Sequence, residues 1–248
     1  MGTLTPTVSI KDPKLGHGGS GAHPPVSDGG GDGRGENGVP DYGGRLRRAR
    51  LGVLLLLVTV TMLFVAFTSA YIFRQGLPVL DERTGKNISD WVQVNLPTGL
   101  LVINTLLLLL SSITAEFARR QITQEAALAP VQSIPGILVD AERSSPWLAV
   151  TIVLGLGFLA GQWIAWRELQ ARGFYLATSP SSSFVYLLTA AHAIHLSGGI
   201  LALLYAGITS LLRRPLELRR IVVDITAWYW HFMALLWIYI FALLEFVR

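Results

Sequence analysis

Cysteine is absent from the 248-residue chain, which excludes disulfides, thiolate metal sites and the C-x-x-C-H attachment of a c-type haem together. Charge is scarce as well: 15% of the residues are Asp, Glu, Lys or Arg, against roughly 25% in soluble domains. With 51% hydrophobic residues, most of the chain avoids water, and a membrane protein is the default reading. The formal net charge of +4 could point to nucleic acid, but the arginines cluster beside apolar runs and read as topology signals. No nucleic-acid partner is expected.

Apolar periodicity is missing from residues 1 to 44, a stretch rich in Gly, Pro, Ser and Asp. Such a segment cannot bury enough surface to offset chain entropy and is expected to be a disordered tail. It also lacks the short apolar core and small-residue cleavage site of a secretory signal. His17 and His23 lie in it and are expected to be solvated.

What is present is length in apolar runs. Five stretches, at about 50 to 74, 95 to 117, 146 to 167, 182 to 210 and 223 to 247, approach the roughly 20 residues that cross a bilayer as a helix. Runs such as LLLLVTVTMLF and LLVINTLLLLLSS are apolar all round, where a membrane barrel would alternate. The expected architecture is an all-α membrane protein, a five-transmembrane-helix bundle over residues 45 to 248 behind the disordered tail.

The flanking charges orient the bundle. Arg45, Arg47, Arg48 and Arg50 precede the first span; Arg119, Arg120 and Arg143 follow the second; Arg213, Arg214, Arg219 and Arg220 follow the fourth. The alternate loops hold Asp81, Glu82, Asp90 and Glu168 beside Arg74, Arg83, Lys86, Arg167 and Arg172. By the positive-inside rule the N-terminus is expected in the cytoplasm and Arg248 on the outer side.

Polar groups inside spans are costly, so their shared faces are informative. Asn104, Ser111 and Ser112 fall on one side of the second helix, a protein-facing side suited to interhelical hydrogen bonds. Gly155, Gly157 and Gly161 precede Gln162 in the third, a small-residue surface that lets another helix approach. Trp147, Trp163 and Trp166 lie near its ends, where amphipathic rings prefer the interface. Thr189, His192, His195 and Gly199 share a face of the fourth helix, and Asp224, Trp228 and His231 share one in the fifth. A short loop should set these two helices antiparallel, with His231 acting across to the other face.

Two readings of the histidines stay open at this point. His192, His195, His231 and Asp224 could supply metal ligands, since imidazole and carboxylate bind zinc, iron or copper. Alternatively, neutral histidines hydrogen-bond between helices without a metal. Two haems and a copper would take about six histidines, and three lie in the spans, so the chain is not expected to be an oxygen-reducing subunit.

Several segments together resemble cytochrome c oxidase subunit III. Trp228-Tyr229-Trp230-His231-Phe232, preceded by Asp224 and followed by Trp237, resembles the family's last-helix signature. His192-x-x-His195 with Gly198-Gly199, introduced by Phe184 and Thr189, resembles its penultimate helix. Leu96-Pro97 with Asn104-Thr105 and Ser111-Ser112, and Gly155 to Trp166 with Gln162, resemble two others. The long form of that subunit has seven helices; this chain resembles the short five-helix bacterial form. It departs from the family pattern at Val60, Ala165 and Ala234, where carboxylates are common.

The resemblance implies a non-catalytic subunit of a haem-copper respiratory oxidase in a bacterial plasma membrane, part of an oxygen-reducing, proton-translocating complex. It implies that the subunit packs on catalytic subunit I, binds phospholipid, and supports proton uptake and turnover stability. Haem and copper would then reside in the partner subunit, with no metal in this chain. Asn104, Gln162, Thr189, His192, His195, Asp224, Trp228 and His231 are expected as structural interhelical polar groups. Arg213 and Arg214 are candidates for an anionic lipid headgroup, or ordinary positive-inside charges. Two alternatives remain: a subunit-III-like component of a quinol oxidase or nitric oxide reductase complex, and a small transporter or histidine-based intramembrane metal enzyme. The last would need a water-accessible path and more charged residues between spans; inverted repeats would support a transporter, and five helices offer none.

Overall fold

The computed structural model describes residues 42–80, 87–88, 91, 94–132, 146–212 and 214–247. Most of the expected tail lies outside these residues, as do His17, His23, Asp81, Glu82, Arg83, Lys86, Asp90, Arg143, Arg213 and Arg248. Five helices, α1 (Tyr42–Gln75), α2 (Thr98–Gln132), α3 (Pro146–Ala171), α4 (Pro180–Leu211) and α5 (Leu216–Phe246), are each long and apolar enough to cross a membrane. Between α1 and α2 a two-residue antiparallel ladder pairs β1 (Val79–Leu80) with β2 (Asn87–Ile88). Among the described residues the fold is otherwise all-α.

Three helices run past the apolar windows that announce them. α1 starts at Tyr42 rather than about 50, α2 continues to Gln132 rather than about 117, and α5 starts at Leu216 rather than about 223. Hydropathy marks where the hydrocarbon ends, not where the backbone stops being helical. At 1.5 Å per residue the 35 residues of α2 reach about 52 Å, well beyond a hydrocarbon core of roughly 30 Å.

Local chemistry sets the ends. Ser179 caps α4: its side chain accepts from the Ser182 backbone N–H, and the Ser182 side chain returns the bond to the Ser179 backbone, with Pro180 in the first turn. This is a capping box with a residue pre-set for a helix start. α3 stops at Gly173, which takes φ = 86°. There the Gly173 N–H donates to the Gln170 carbonyl and the Phe174 N–H to the Leu169 carbonyl, the paired bonds of a left-handed helix terminus.

In the bundle, α5 packs on α2, α4 and α1, while α3 closes the far side against α2 and α4. Half of the apolar window of α5 is buried but 17% of that of α1, so α5 is the centre and α1 the periphery. Exposed hydroxyls on α1 and α4 are satisfied within their own helices: Thr59 donates to the Leu55 carbonyl at 3.0 Å, Thr61 to Leu57 at 2.8 Å and Ser197 to Ala193 at 2.8 Å. Such bonds let a polar side chain face lipid with no unpaired donor.

Gly155 of α3 and Gly199 of α4 make room for rings rather than for a helix backbone. A Cβ on Gly155 would stand 2.8 Å from the Trp230 indole, and one on Gly199 would stand 2.9 Å from the Tyr229 ring and 3.1 Å from Trp230. Gly157, expected on the same approach surface, has nothing within 4 Å. Overpacking a core site costs about 1–3 kcal/mol. Gly155→Val should therefore lower the thermal stability of the detergent-solubilised protein by that amount, while Gly157→Val should stay within about 0.5 kcal/mol. Equal melting of the two variants would show that the indole is not wedged there.

Candidate functional site

Polar side chains in the described bundle gather chiefly along a seam where α5 meets α2 and α1, with further bonds from α2 to α3 and from α3 to α4. At its charged end Arg45 of α1 pairs with Glu217 of α5 at 2.5 Å, with both side chains about half exposed. Deeper, the Asp224 carboxylate is nearly buried and receives two guanidinium groups, from Arg50 of α1 at 2.9 Å and Arg119 of α2 at 3.5 Å. Arg50 also lies over the Trp228 ring, 5.8 Å from its centroid. Arg219, also buried, donates to the Ser210 hydroxyl at 3.0 Å and stands 3.7 Å from Glu125. Each buried charge therefore has an opposite charge beside it, the condition under which ionised groups are tolerated away from water.

One turn further in, Glu116 of α2 holds Arg119 through two bonds of 2.8 Å and Arg120 through one of 2.8 Å. Its other neighbour is His231, whose Nε2 is 3.5 Å away. The same imidazole meets the Ser112 hydroxyl through Nδ1 at 2.5 Å. With Ser112 donating to Nδ1, the ring proton sits on Nε2 and faces the carboxylate, so Ser112 and Glu116 together orient the ring.

The middle of the seam is hydroxyl and indole. Trp230 is fully buried and donates from Nε1 to the Ser111 hydroxyl at 3.0 Å, and Ser111 donates onward to the Thr151 carbonyl of α3 at 3.1 Å. Thr114 and Thr151 meet at 2.8 Å beside this chain of bonds. Towards the other end Trp237 donates to the Thr105 hydroxyl and Trp166 to the Thr189 hydroxyl, at 3.0 and 3.1 Å. α1 is fastened there by three bonds: Tyr239 donates to the Thr68 hydroxyl at 3.0 Å, and Tyr71 and Gln75 donate to the Val247 carbonyl at 2.9 and 3.4 Å.

The structure sets the three intramembrane histidines in three separate environments, so the four-ligand set of His192, His195, His231 and Asp224 is not assembled. His231 lies against α2. His195 bonds through Nδ1 to the Ala191 carbonyl of its own helix at 2.7 Å, while the His195 carbonyl accepts from the Tyr229 hydroxyl at 2.8 Å. His192 sits among the rings of Phe158 and Trp237. Among the described residues no group of three or more His, Cys, Asp or Glu side chains could hold a metal ion.

These placements correct one expectation. α4 and α5 are adjacent, but the Asp224 and His231 side chains do not reach across to the face that carries Thr189, His192 and His195. They bond to α1 and α2 instead, because Tyr229 and Trp230 occupy the α4 side of α5. His195 is likewise bonded within its helix rather than between helices. Asn104 lies against Gly161, where an added Cβ would fall 1.9 Å from its Oδ1. Trp228 is half exposed and meets Arg50 through its ring. Arg214 is exposed, and Arg213 lies outside the described residues. Val60, Ala165 and Ala234 are buried among apolar neighbours.

Sequence reasoning missed Glu116 and treated Arg50 and Arg119 as topology charges alone. The signal was available: Ser112, Glu116, Arg119 and Arg120 stand at helical steps of three and four, which puts the acid beside the hydroxyl on the α5-facing side.

Five helices long and apolar enough to cross a membrane among the described residues, tied to one another by inward polar groups, define a multi-pass membrane protein. A family model for cytochrome c oxidase subunit III matches residues 45–247. The chain belongs to the cytochrome c oxidase subunit III family. Probable cytochrome c oxidase subunit 3 of Mycobacterium tuberculosis is 28% identical over 102 residues, 41% of this chain and 50% of that protein. The chain thus spans about half the length of the mycobacterial relatives it matches. Cytochrome c oxidase subunit 3 of Thermostichus vulcanus is 27% identical over 197 residues, 78% of this chain and 85% of that protein. The Arabidopsis thaliana protein of the same name is 27% identical over 193 residues, 77% of this chain and 66% of that protein.

Burial decides which ion pair matters most. Asp224→Asn leaves two guanidinium groups facing a neutral amide, and loss of a charged hydrogen-bond partner costs about 1–3 kcal/mol. Glu217→Gln at the exposed pair should cost under about 1 kcal/mol. Parallel melting curves of the two variants should show the larger loss for Asp224→Asn; the reverse order would contradict the assignment.

Proposed function

We propose that the chain is the non-catalytic subunit III of a haem-copper respiratory oxidase. On this reading it packs on the catalytic subunit, binds phospholipid, and supports proton uptake and durability over many turnovers. The observation that carries the reading is the family match over residues 45–247. The interior fits it: intramembrane hydroxyls, indoles and two of the three histidines are engaged in bonds that join or line helices. Haem and copper belong to the partner subunit in this account, which supplies the oxygen chemistry. The chain itself contributes a rigid polar-seamed bundle.

Beside the Arg213 and Arg214 pair, a second location suits a lipid. A mostly apolar groove between the N-terminal halves of α1 and α5 is lined by Leu51, Leu54, Leu57 and Trp228, with Arg47 and Arg50 at its charged end. Guanidinium groups above a leucine-lined trough suit an anionic headgroup with its acyl chain below. Arginines flanking α1 and α5 also support a cytoplasmic N-terminus and an outer C-terminus in a bacterial plasma membrane.

Affinity purification of the tagged chain from its native membranes tests the proposal. A haem-copper catalytic subunit should co-purify with its haem spectrum. Deleting this chain should leave that spectrum intact while shortening the time over which oxygen consumption is sustained. Purification without any haem protein, or loss of haem on deletion, would contradict it.

A further inference from the structure

At the α3–α4 loop, the end of the bundle opposite the N-termini of α1 and α5, the two helices part around an open groove of about 610 Å³. Trp163, Trp166, Arg167 and Gln170 of α3 line one wall, and Tyr186 and Leu187 of α4 line the other. Steps of three and four keep the α3 residues on one side of that helix, and from Trp163 to Gln170 the wall stands about 10 Å tall. Hydrogen bonds hold its shape. Tyr186 donates to the Phe174 carbonyl and Ser182 to the Tyr175 carbonyl, both at 2.9 Å, and Ser183 donates to the Leu176 carbonyl. These three bonds tie the loop after α3 down onto the first turns of α4, which leaves Leu176 exposed at the rim of the groove.

Most polar groups around the groove are already engaged. The hydroxyls bond to the loop, and the Trp166 indole donates to Thr189. Glu168, the one acid between Trp163 and Arg172, is paired with Arg172, which also donates to the Asn95 carbonyl at 3.1 Å. Arg167 is exposed and makes no hydrogen bond or ion pair among the described residues, and the Gln170 side chain is likewise exposed and unbonded. An uncompensated guanidinium and a free amide therefore stand towards the membrane surface. Deeper in the groove the lining is apolar, with Trp163 at 60% exposure facing Leu187 and Ala190. This order, cation above and hydrocarbon below, fits an amphiphile with a negative head. A small soluble anion would leave the indole and the leucines uncovered, and an apolar helix would leave the guanidinium without a partner.

We propose that this groove binds an anionic phospholipid of the leaflet at that end, with its phosphate on Arg167 and Gln170 and an acyl chain against Trp163 and Leu187. A guanidinium matches two phosphate oxygens at once, and tryptophans mark the headgroup level of a bilayer, which sets Arg167 within reach of phosphate. The proposal extends the lipid-binding reading above to the opposite leaflet. It stands apart from the groove of Arg47 and Arg50 and from the identity of the oxidase.

Tryptophan fluorescence of the purified full-length chain in detergent, titrated with phosphatidylglycerol or phosphatidylcholine brominated on the acyl chain, tests the proposal, because bromine quenches an indole that it touches. The Trp163 component is the difference between the protein and Trp163→Phe, which separates this groove from the one beside Trp228. Brominated phosphatidylglycerol should quench that component at about fivefold lower concentration than brominated phosphatidylcholine, the scale of one arginine at an anionic headgroup. Arg167→Gln should abolish the preference, and Arg167→Lys, which keeps the charge, should retain most of it. Equal quenching by the two lipids, or a preference that survives Arg167→Gln, would overturn the proposal. So would a preference carried by Trp228 alone, which would leave the groove between α1 and α5 as the lipid site, and so would a map of the intact complex with a partner helix seated between Arg167 and Leu187.

Discussion

The bundle depends on one indole. In hydrocarbon no water stands ready to take an unpaired N–H, so a buried tryptophan must find its acceptor inside the protein. Trp230 does so on α2, through Ser111, while its ring fills the spaces left by Gly155 of α3 and Gly199 of α4. A single side chain of α5 thereby fixes the position of three other helices. Ser111 then passes the constraint on to the Thr151 carbonyl of α3, so the hydrogen bonds and the ring packing both reach α3.

The rest of the seam grades outward from that point. Towards the N-terminal end of α5 the contacts become ionic, as Asp224 gathers Arg50 and Arg119 and Glu116 gathers Arg119 and Arg120. Asp224 and Glu116 stand at the very edge of the apolar windows of α5 and α2, where charged groups cost less than at mid-span. Towards the other end they become indole-to-hydroxyl bonds and aromatic edges, suited to an interior without charge. α1 joins mainly at its two ends: Arg45 and Arg50 bond to α5 at one, Thr68, Tyr71 and Gln75 bond to Tyr239 and Val247 towards the other, and Phe64 meets the His195 ring at 5.9 Å. Its low burial follows from that sparse attachment.

The number, order and approximate windows of the helices were legible in the sequence, because length and apolarity decide a crossing. Helix ends were less legible: the helical extensions of α1, α2 and α5 are more polar, and backbone bonding continues after hydropathy has fallen. Faces were legible but partners were not. Asp224 and His231 do share a side of α5 with Trp228, yet whether that side meets α4 or α2 depends on how the helix is rotated. The rotation is set by Tyr229 and Trp230 against Gly199 and Gly155, a fit of volumes that spacing alone does not encode. Glu116 escaped notice because it sits beside two arginines that also serve as topology signals. His192 was legible as buried and polar, but its lack of any protein bond emerges only once its ring neighbours are known.

A double-mutant cycle of Ser111→Ala and Trp230→Phe, read by thermal melting of the solubilised protein, tests the central role of the indole most directly. The cycle separates the polar bond from the loss of ring volume, since phenylalanine keeps much of the aromatic packing. The account predicts that the two losses are non-additive, with a coupling of roughly 0.6 kcal/mol or more, the scale of interhelical hydrogen bonds in membranes. Strictly additive losses would contradict it, because Trp230 and Ser111 would then stabilise the bundle independently.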